Sequence, residues 1–236
     1  MHQESKRTEA PWLAGVRAAR ATAAPALVLQ AVALTLVLAY YRHPPTHEAV
    51  NALAHLHDRF GHLFGIVSTG LFGGAIPFLY LRARRATHDR FTWAGGAALT
   101  AFWSYKGLEV GLWYRFLAAT VGEATDVSTV TIKMLLDQFV YCPIIAVPAT
   151  VLVYAWVESR FDAGPVLRDV KAGGWYWRRV MPVLISNLGV WIPAVCIIYA
   201  LPTPLQLPLQ NLVLCFFTLL LAHVTQRRPI AETLKG

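Results

Sequence analysis

The chain has 236 residues, 56% of them hydrophobic and only 14% charged. A soluble domain carries roughly 25% charged residues, so this composition argues against a water-exposed globule and for a polytopic membrane protein with apolar runs near spanning length. The net charge of +8 does not argue for nucleic acid, because the basic residues lie between apolar runs, where membrane orientation requires them.

The first twenty-odd residues hold no cleavable signal pattern: the apolar run that follows, about 23–41, is too long for a signal core. Trp12, Leu13 and Val16 stand against Arg17 and Arg20, which predicts an interfacial amphipathic helix in a segment 1–22. A mitochondrial transit segment is the weaker reading, since Glu4 and Glu9 oppose it.

Residues 23–236 read as a single transmembrane domain. Six spans are predicted, at about 23–41, 60–82, 92–118, 131–157, 180–201 and 205–223. Pro202, Thr203 and Pro204 separate the last two, and Pro208 interrupts the sixth, so they also read as one broken helix. Lys6, Arg7, Arg17 and Arg20 precede the first span. Arg82, Arg84, Arg85 and Arg90 mark the second connection, Arg160, Arg168, Lys171, Arg178 and Arg179 the fourth, and Arg227, Arg228 and Lys235 the C-terminus. The opposite side holds only Arg42 and Arg59. This asymmetry predicts an all-α helical bundle with both termini on the positive, cytoplasmic or matrix-like, side.

In the first connection, Thr46 is the expected N-cap of a short helix. Ala49, Leu53, Leu56 and Phe60 form its apolar stripe, so it should lie on the outer membrane face. His43, His47, His55, His57 and His62 crowd this loop with Glu48 and Asp58. Imidazole and carboxylate suit zinc or iron, but the spacing matches no ligand pattern, so no metal or other cofactor is expected.

In the second span Gly61, Gly65, Thr69 and Gly73 recur every four residues, and Gly107 and Gly111 repeat the spacing in the third. Small residues one turn apart let backbones approach, so they predict packing ridges. Local kinking near Pro77 is the other reading. Trp113, Tyr114 and Arg115 suit the outer interface, as Trp175, Tyr176 and Trp177 suit the inner one. Cys142, Cys196 and Cys215 all lie in apolar runs and read as buried thiols.

The charges inside the apolar runs need partners, because an ionised group in lipid is expensive. Lys106 and Glu109 lie on the third span, and Lys133, Asp137 and Gln138 on the fourth. A short connection makes the two spans an antiparallel hairpin, which sets these residues at similar depth and predicts one buried polar cluster, with Arg115 as a further candidate. In a structural reading Lys133 pairs with Asp137 and Lys106 with Glu109, locking the hairpin. In a functional reading the cluster lines a solute path. No nucleophile–base constellation, phosphate loop or His-Glu-x-x-His motif is present, so no enzyme activity is expected.

Lys133, Asp137, Gln138 and Pro143 match K-x-x-x-D-Q-x-x-x-x-P, a signature of the Mpv-17/peroxisomal membrane protein 22 family, which the chain resembles over about residues 60–225. Gly107 and Trp113-Tyr114 look like that family's G-P-x-x-H-x-W-Y, with Leu108 and Gly111 replacing the proline and histidine. Trp177 resembles its Y-W-P, Asn187, Trp191 and Pro193 its N-W-x-x-W-P-P, and Pro202 and Asn211 its later V-P and asparagine. The family's Gly-Asp, the arginine after its V-P turn, and a start without the extra N-terminal span are not matched, which marks a divergent member. The resemblance implies a multi-pass protein of a bacterial cytoplasmic or mitochondrial inner membrane. It also implies a weakly selective channel for small solutes or metabolites, with a non-conducting scaffold or assembly protein as the alternative and a metal-dependent membrane enzyme a distant third. The expected partners are the lipid bilayer and, if the chain conducts, small solutes. A homo-oligomer is left open.

Overall fold

A computed structural model describes residues 11–84 and 92–225. Everything regular among them is helical: α1 (Pro11–Arg42), α2 (Pro44–Phe60), α3 (His62–Ala83), α4 (Trp93–Val121), α5 (Val127–Glu158), α6 (Ala163–Lys171), α7 (Tyr176–Tyr199) and α8 (Thr203–Thr225). Four stretches are long and apolar enough to cross a membrane: Ala23–Arg42, His62–Ala83, Val127–Glu158 and Tyr176–Tyr199. α4 and α8, also read as spans, have 29 and 23 residues but fall outside that group. α4 carries Lys106, Glu109 and Arg115, which lower its hydropathy. Lys6, Arg7, Arg85, Arg90, Arg227, Arg228 and Lys235 lie outside the described residues.

The segment before residue 23 and the first predicted span are continuous in α1. Its 32 residues run as one helix through Pro25, about 48 Å at 1.5 Å per residue. The N-terminal part packs on α7 rather than standing apart. A Cβ on Gly15 would lie 2.8 Å from the Pro182 carbonyl oxygen, and one on Gly189 would meet Ala19. Gln30 Nε2 donates to the Val190 carbonyl at 2.9 Å further along the same contact.

α2 forms where expected but starts earlier. His43 is its N-cap, with Pro44 and Pro45 in the first turn, where a missing N–H leaves nothing unsatisfied. The Thr46 hydroxyl bonds His43 Nδ1 instead of capping. Ala49, Leu53, Leu56 and Phe60 are all exposed, while Val50, Ala54 and His57 face the bundle. Gly61 then breaks the chain with φ of +52°, a conformation glycine reaches without a Cβ penalty.

The last two helices are separate rather than one broken rod. They fold back on each other, so that Val195 and Gln210 line the same cavity as Val183, Phe217 and Thr218. Pro202 and Pro204 occupy the turn.

Three stretches inside the helices widen to π geometry: Gly70–Ala75, Asp137–Ala146 and Tyr176–Val180. Each ends two residues before a proline, at Pro77, Pro148 and Pro182. A proline ring clashes with the carbonyl four residues back and leaves it without a donor, and a wide turn relieves both faults.

The small-residue ridge holds in part. Gly65 and Gly107 bring α3 and α4 into backbone contact: a Cβ on Gly107 would overlap the Gly65 carbonyl oxygen, and one on Gly65 would sit 2.9 Å from that of Gly107. Gly73 abuts Trp103 and Leu214, and Gly70 and Gly74 abut Ser104 and Thr100. Thr69, fully buried, donates to Asn211 Oδ1 on α8 at 2.9 Å. Gly61 and Gly111 do not belong to the ridge. Gly61 is the break before α3, and a Cβ on Gly111 would meet nothing closer than Leu207 at 3.8 Å.

Gly107→Ala is expected to lower stability by about 1–3 kcal/mol, the usual cost of overpacking, whereas Gly111→Ala should leave it unchanged. Thermal unfolding of the two variants in detergent tests this.

Outside the spans, Asp126 caps α5 by accepting from the Ser128 and Thr129 amides and hydroxyls. These bonds hold its carboxyl well below the usual range. Asp169 on α6 is also held low, by Arg178 first and then Arg179, each at 2.9 Å. Because both groups are depressed, what they contribute is intact above the ordinary carboxylate range, about pH 4, and is lost as pH falls through the lowered values. What Asp126 and Asp169 add to the unfolding midpoint, read as the difference between the wild type and Asp126→Asn/Asp169→Asn, should therefore hold steady down to about pH 4 and shrink below it.

Candidate functional site

α4 and α5 are joined by residues 122–126 and run back along one another, which brings the buried charges of the two helices together. Lys106, 4% exposed, pairs with Glu109 one turn on. The pair is closed from α5: Tyr141 donates to Glu109 Oε1 at 2.5 Å, and Lys106 Nζ donates to the Tyr141 hydroxyl at 3.1 Å. The Trp113 ring stacks on Tyr141 with centroids 4.8 Å apart. Its indole N–H donates to Asp137 Oδ1 at 2.8 Å. Gln138 Nε2 donates to Asp137 Oδ2, also at 2.8 Å. Lys106, Glu109, Asp137 and Gln138 thus form one network, linked through Trp113 and Tyr141.

Two expected members are placed elsewhere. Lys133, 1% exposed, makes no ion pair with Asp137 and has its ammonium 5.9 Å from the Tyr199 ring centroid. Both Asp137 oxygens are taken by Trp113 and Gln138, and the Lys133 side chain runs to the Tyr199 ring instead. Arg115 is exposed and donates to His62 Nε2 at 3.3 Å, outside the network.

The network faces an open cavity of about 370 Å³ lined by α4, α5, α7 and α8. Lys106, Asp137, Gln138 and Tyr141 stand on its wall with Asn187 and Gln210, and Trp103, Trp191, Val195, Leu214 and Phe217 are among its apolar lining. Cys142 also lines it, with the Asn187 amide 3.8 Å from its sulfur. A second cavity, of about 210 Å³, lies toward the 122–126 turn between His57, Asp58, Arg115, Glu123 and Thr203. Tyr114 lines both cavities. It is 4% exposed, donates to Gln210 Oε1 at 2.6 Å and packs edge-on against Tyr199.

Sequence reasoning missed several of these residues. Trp113 and Tyr114 read as interfacial aromatics, yet both are held inside by hydrogen bonds. Tyr141, Asn187 and Gln210 drew no attention as polar partners. One signal was present: Trp113 follows Glu109, and Tyr141 follows Asp137, by four residues, so each aromatic lies on the face of its helix that carries the charge.

The histidines are dispersed. His47 stacks on Tyr40, His43 meets Thr46, and His62 meets Arg115. Burial pushes the His57 imidazole below its usual value, against the opposing pull of Asp58. Among the described residues no group of three or more His, Cys, Asp or Glu is placed to hold a metal ion.

No protein-family model matches the chain, and neither does any curated protein or solved structure.

The Lys106–Glu109 pair should be strongly coupled. Lys106→Met alone leaves a buried carboxylate uncompensated and is expected to cost about 3–5 kcal/mol. Lys106→Met combined with Glu109→Leu should cost clearly less than the sum of the two single changes. A double-mutant cycle on unfolding midpoints measures this.

Proposed function

We propose that the chain is a multi-pass membrane protein of six spans, with both termini on the positive side, whose helices enclose a weakly selective path or binding chamber for small solutes. The observation that carries this reading is the cavity of about 370 Å³ with Lys106, Asp137 and Gln138 on its wall. Ligand sites are mostly apolar concavities with a few convergent polar groups, and ionisable residues at membrane depth ordinarily mark such paths. The six-span count rests on α4 and α8, which at 29 and 23 residues are about 44 and 35 Å long and pack on each other, α4 also against α3 and α5. The orientation rests on the basic residues of the connections.

Membership in the Mpv-17/peroxisomal membrane protein 22 family belongs to the same proposal. Its support is the place of the matching residues: Asp137 and Gln138 stand on the cavity wall, and Pro143 lies within the widened turn of the same helix. A bacterial cytoplasmic or mitochondrial inner membrane is the setting that this family reading implies.

One observation favours the scaffold alternative. Trp113–Asp137 and Lys106–Glu109–Tyr141 tie α4 to α5, which is what a purely structural lock requires.

Reconstitution into planar bilayers separates the two. A conducting path gives reproducible channel events that are lost or altered in Asp137→Ala and in Glu109→Gln, provided each variant elutes and melts as a folded protein. Silence from well-folded wild-type protein supports the scaffold.

A further inference from the structure

The polar end of the larger cavity has an excess of acceptors. Asp137 accepts from Trp113 at one oxygen and from Gln138 at the other. An ionised carboxylate only accepts, so the Gln138 atom that faces it is the amide nitrogen, and the oxygen is the end left over. That oxygen, on a side chain 1% exposed, is buried and has no partner. A buried acceptor without a donor is costly enough to need an explanation, and here its residue stands on a cavity wall beside an anion.

Three donors on the wall are already engaged. The Lys106 ammonium serves Glu109 and Tyr141, so its charge is matched within the pair. Trp103 donates to the Tyr154 hydroxyl and Tyr114 to Gln210. Lys133 is not on the wall and lies against Tyr199. The Tyr199 hydroxyl interacts electrostatically with Asp137 but has no partner in hydrogen-bond geometry. Asp137 thus holds its two bonds from neutral groups, and no ion pair to it exists among the described residues.

We infer that this cavity takes an organic amine: a primary ammonium group on an apolar or aromatic body. The ammonium offers three N–H donors, enough for the Gln138 oxygen and the Asp137 carboxylate together, and its charge meets an anion with no ion pair among the described residues. The body lies along Trp103, Trp191 and Phe217, where aromatic faces also favour a cation. An amino acid fits less well, since its carboxylate would need a cation and Lys106 is committed to Glu109. The inference rests on the solute-site reading above and names the class of solute.

The test uses purified full-length protein in lipid nanodiscs, with protein-free nanodiscs subtracted to remove partitioning. Tryptophan fluorescence, to which Trp103 and Trp191 contribute from the wall, is titrated with 2-phenylethylamine, 2-phenylethanol and 3-phenylpropionate. The amine should saturate and bind at least about tenfold tighter than the other two, as expected of one hydrogen bond to a charged group. Gln138→Met, which keeps the volume and removes the oxygen, should weaken the amine by about the same factor and leave the alcohol unchanged. Equal affinities for the three compounds, a preference for the carboxylate, or an amine affinity indifferent to Gln138→Met each overturns the inference. Should Gln138→Met fail to fold, the ranking of the three compounds on the wild-type protein decides. Amine preference in a protein that is silent in bilayers removes the conducting path and leaves the site. Conductance without amine preference removes the amine and leaves the path.

Discussion

Glu109 Oε1 receives the Lys106 ammonium from its own helix and the Tyr141 hydroxyl from the next. Much of the bundle follows from that meeting. In a low-dielectric interior an ion without its counter-ion costs several kcal/mol, so the three groups hold together and set the height of α4 against α5. With that height fixed, Trp113 falls over Tyr141 and reaches Asp137, and Asp137 in turn orients Gln138. A chain of charged and aromatic groups therefore defines one wall, and α7 and α8 supply another with Asn187, Trp191 and Gln210.

The cavity exists because the helices are prevented from closing. Asp137–Ala146 is a widened turn, and the Pro143 carbonyl that it leaves exposed is taken by the Tyr176 hydroxyl at 2.9 Å. Large rings at Trp103, Tyr141, Trp191 and Phe217 hold the four helices apart on one side of α4. On its other side glycines draw α3 in until the backbones touch. α4 is thus tight on one face and open on another, while Tyr105, Leu112 and Phe116 stay exposed on the outside of the bundle.

What the sequence made legible is what composition and spacing control. The helical class, the apolar runs, the α4–α5 hairpin and the meeting of Lys106, Glu109, Asp137 and Gln138 all follow from the cost of isolated charge and from helix length. The missed features depend on direction and on backbone detail. Lys133 had the correct spacing to pair with Asp137, but spacing does not say which way a lysine leans. Gly111 continued the four-residue pattern, yet only a neighbouring backbone could show that nothing meets it. The widened turns were missed although Pro77, Pro148 and Pro182 each follow one at the same distance. Trp113 and Tyr114 read as interfacial because aromatic belts have that composition; their hydrogen bonds to Asp137 and Gln210 come from helices that the sequence does not place beside them.

The contact between Gly65 and Gly107 has an evolutionary side. Each glycine lies against the other's carbonyl oxygen, and a carbon added at Gly107 would also press on the Thr69 hydroxyl at 2.7 Å, the group that reaches across to Asn211. No smaller side chain exists at either position to compensate for growth at the other. The two sites are therefore epistatic in a single sense: either can veto a change at its partner, and neither can rescue one. A lineage leaving this arrangement would have to move the helices apart first, through substitutions elsewhere along α3 and α4, before a side chain could enter between them.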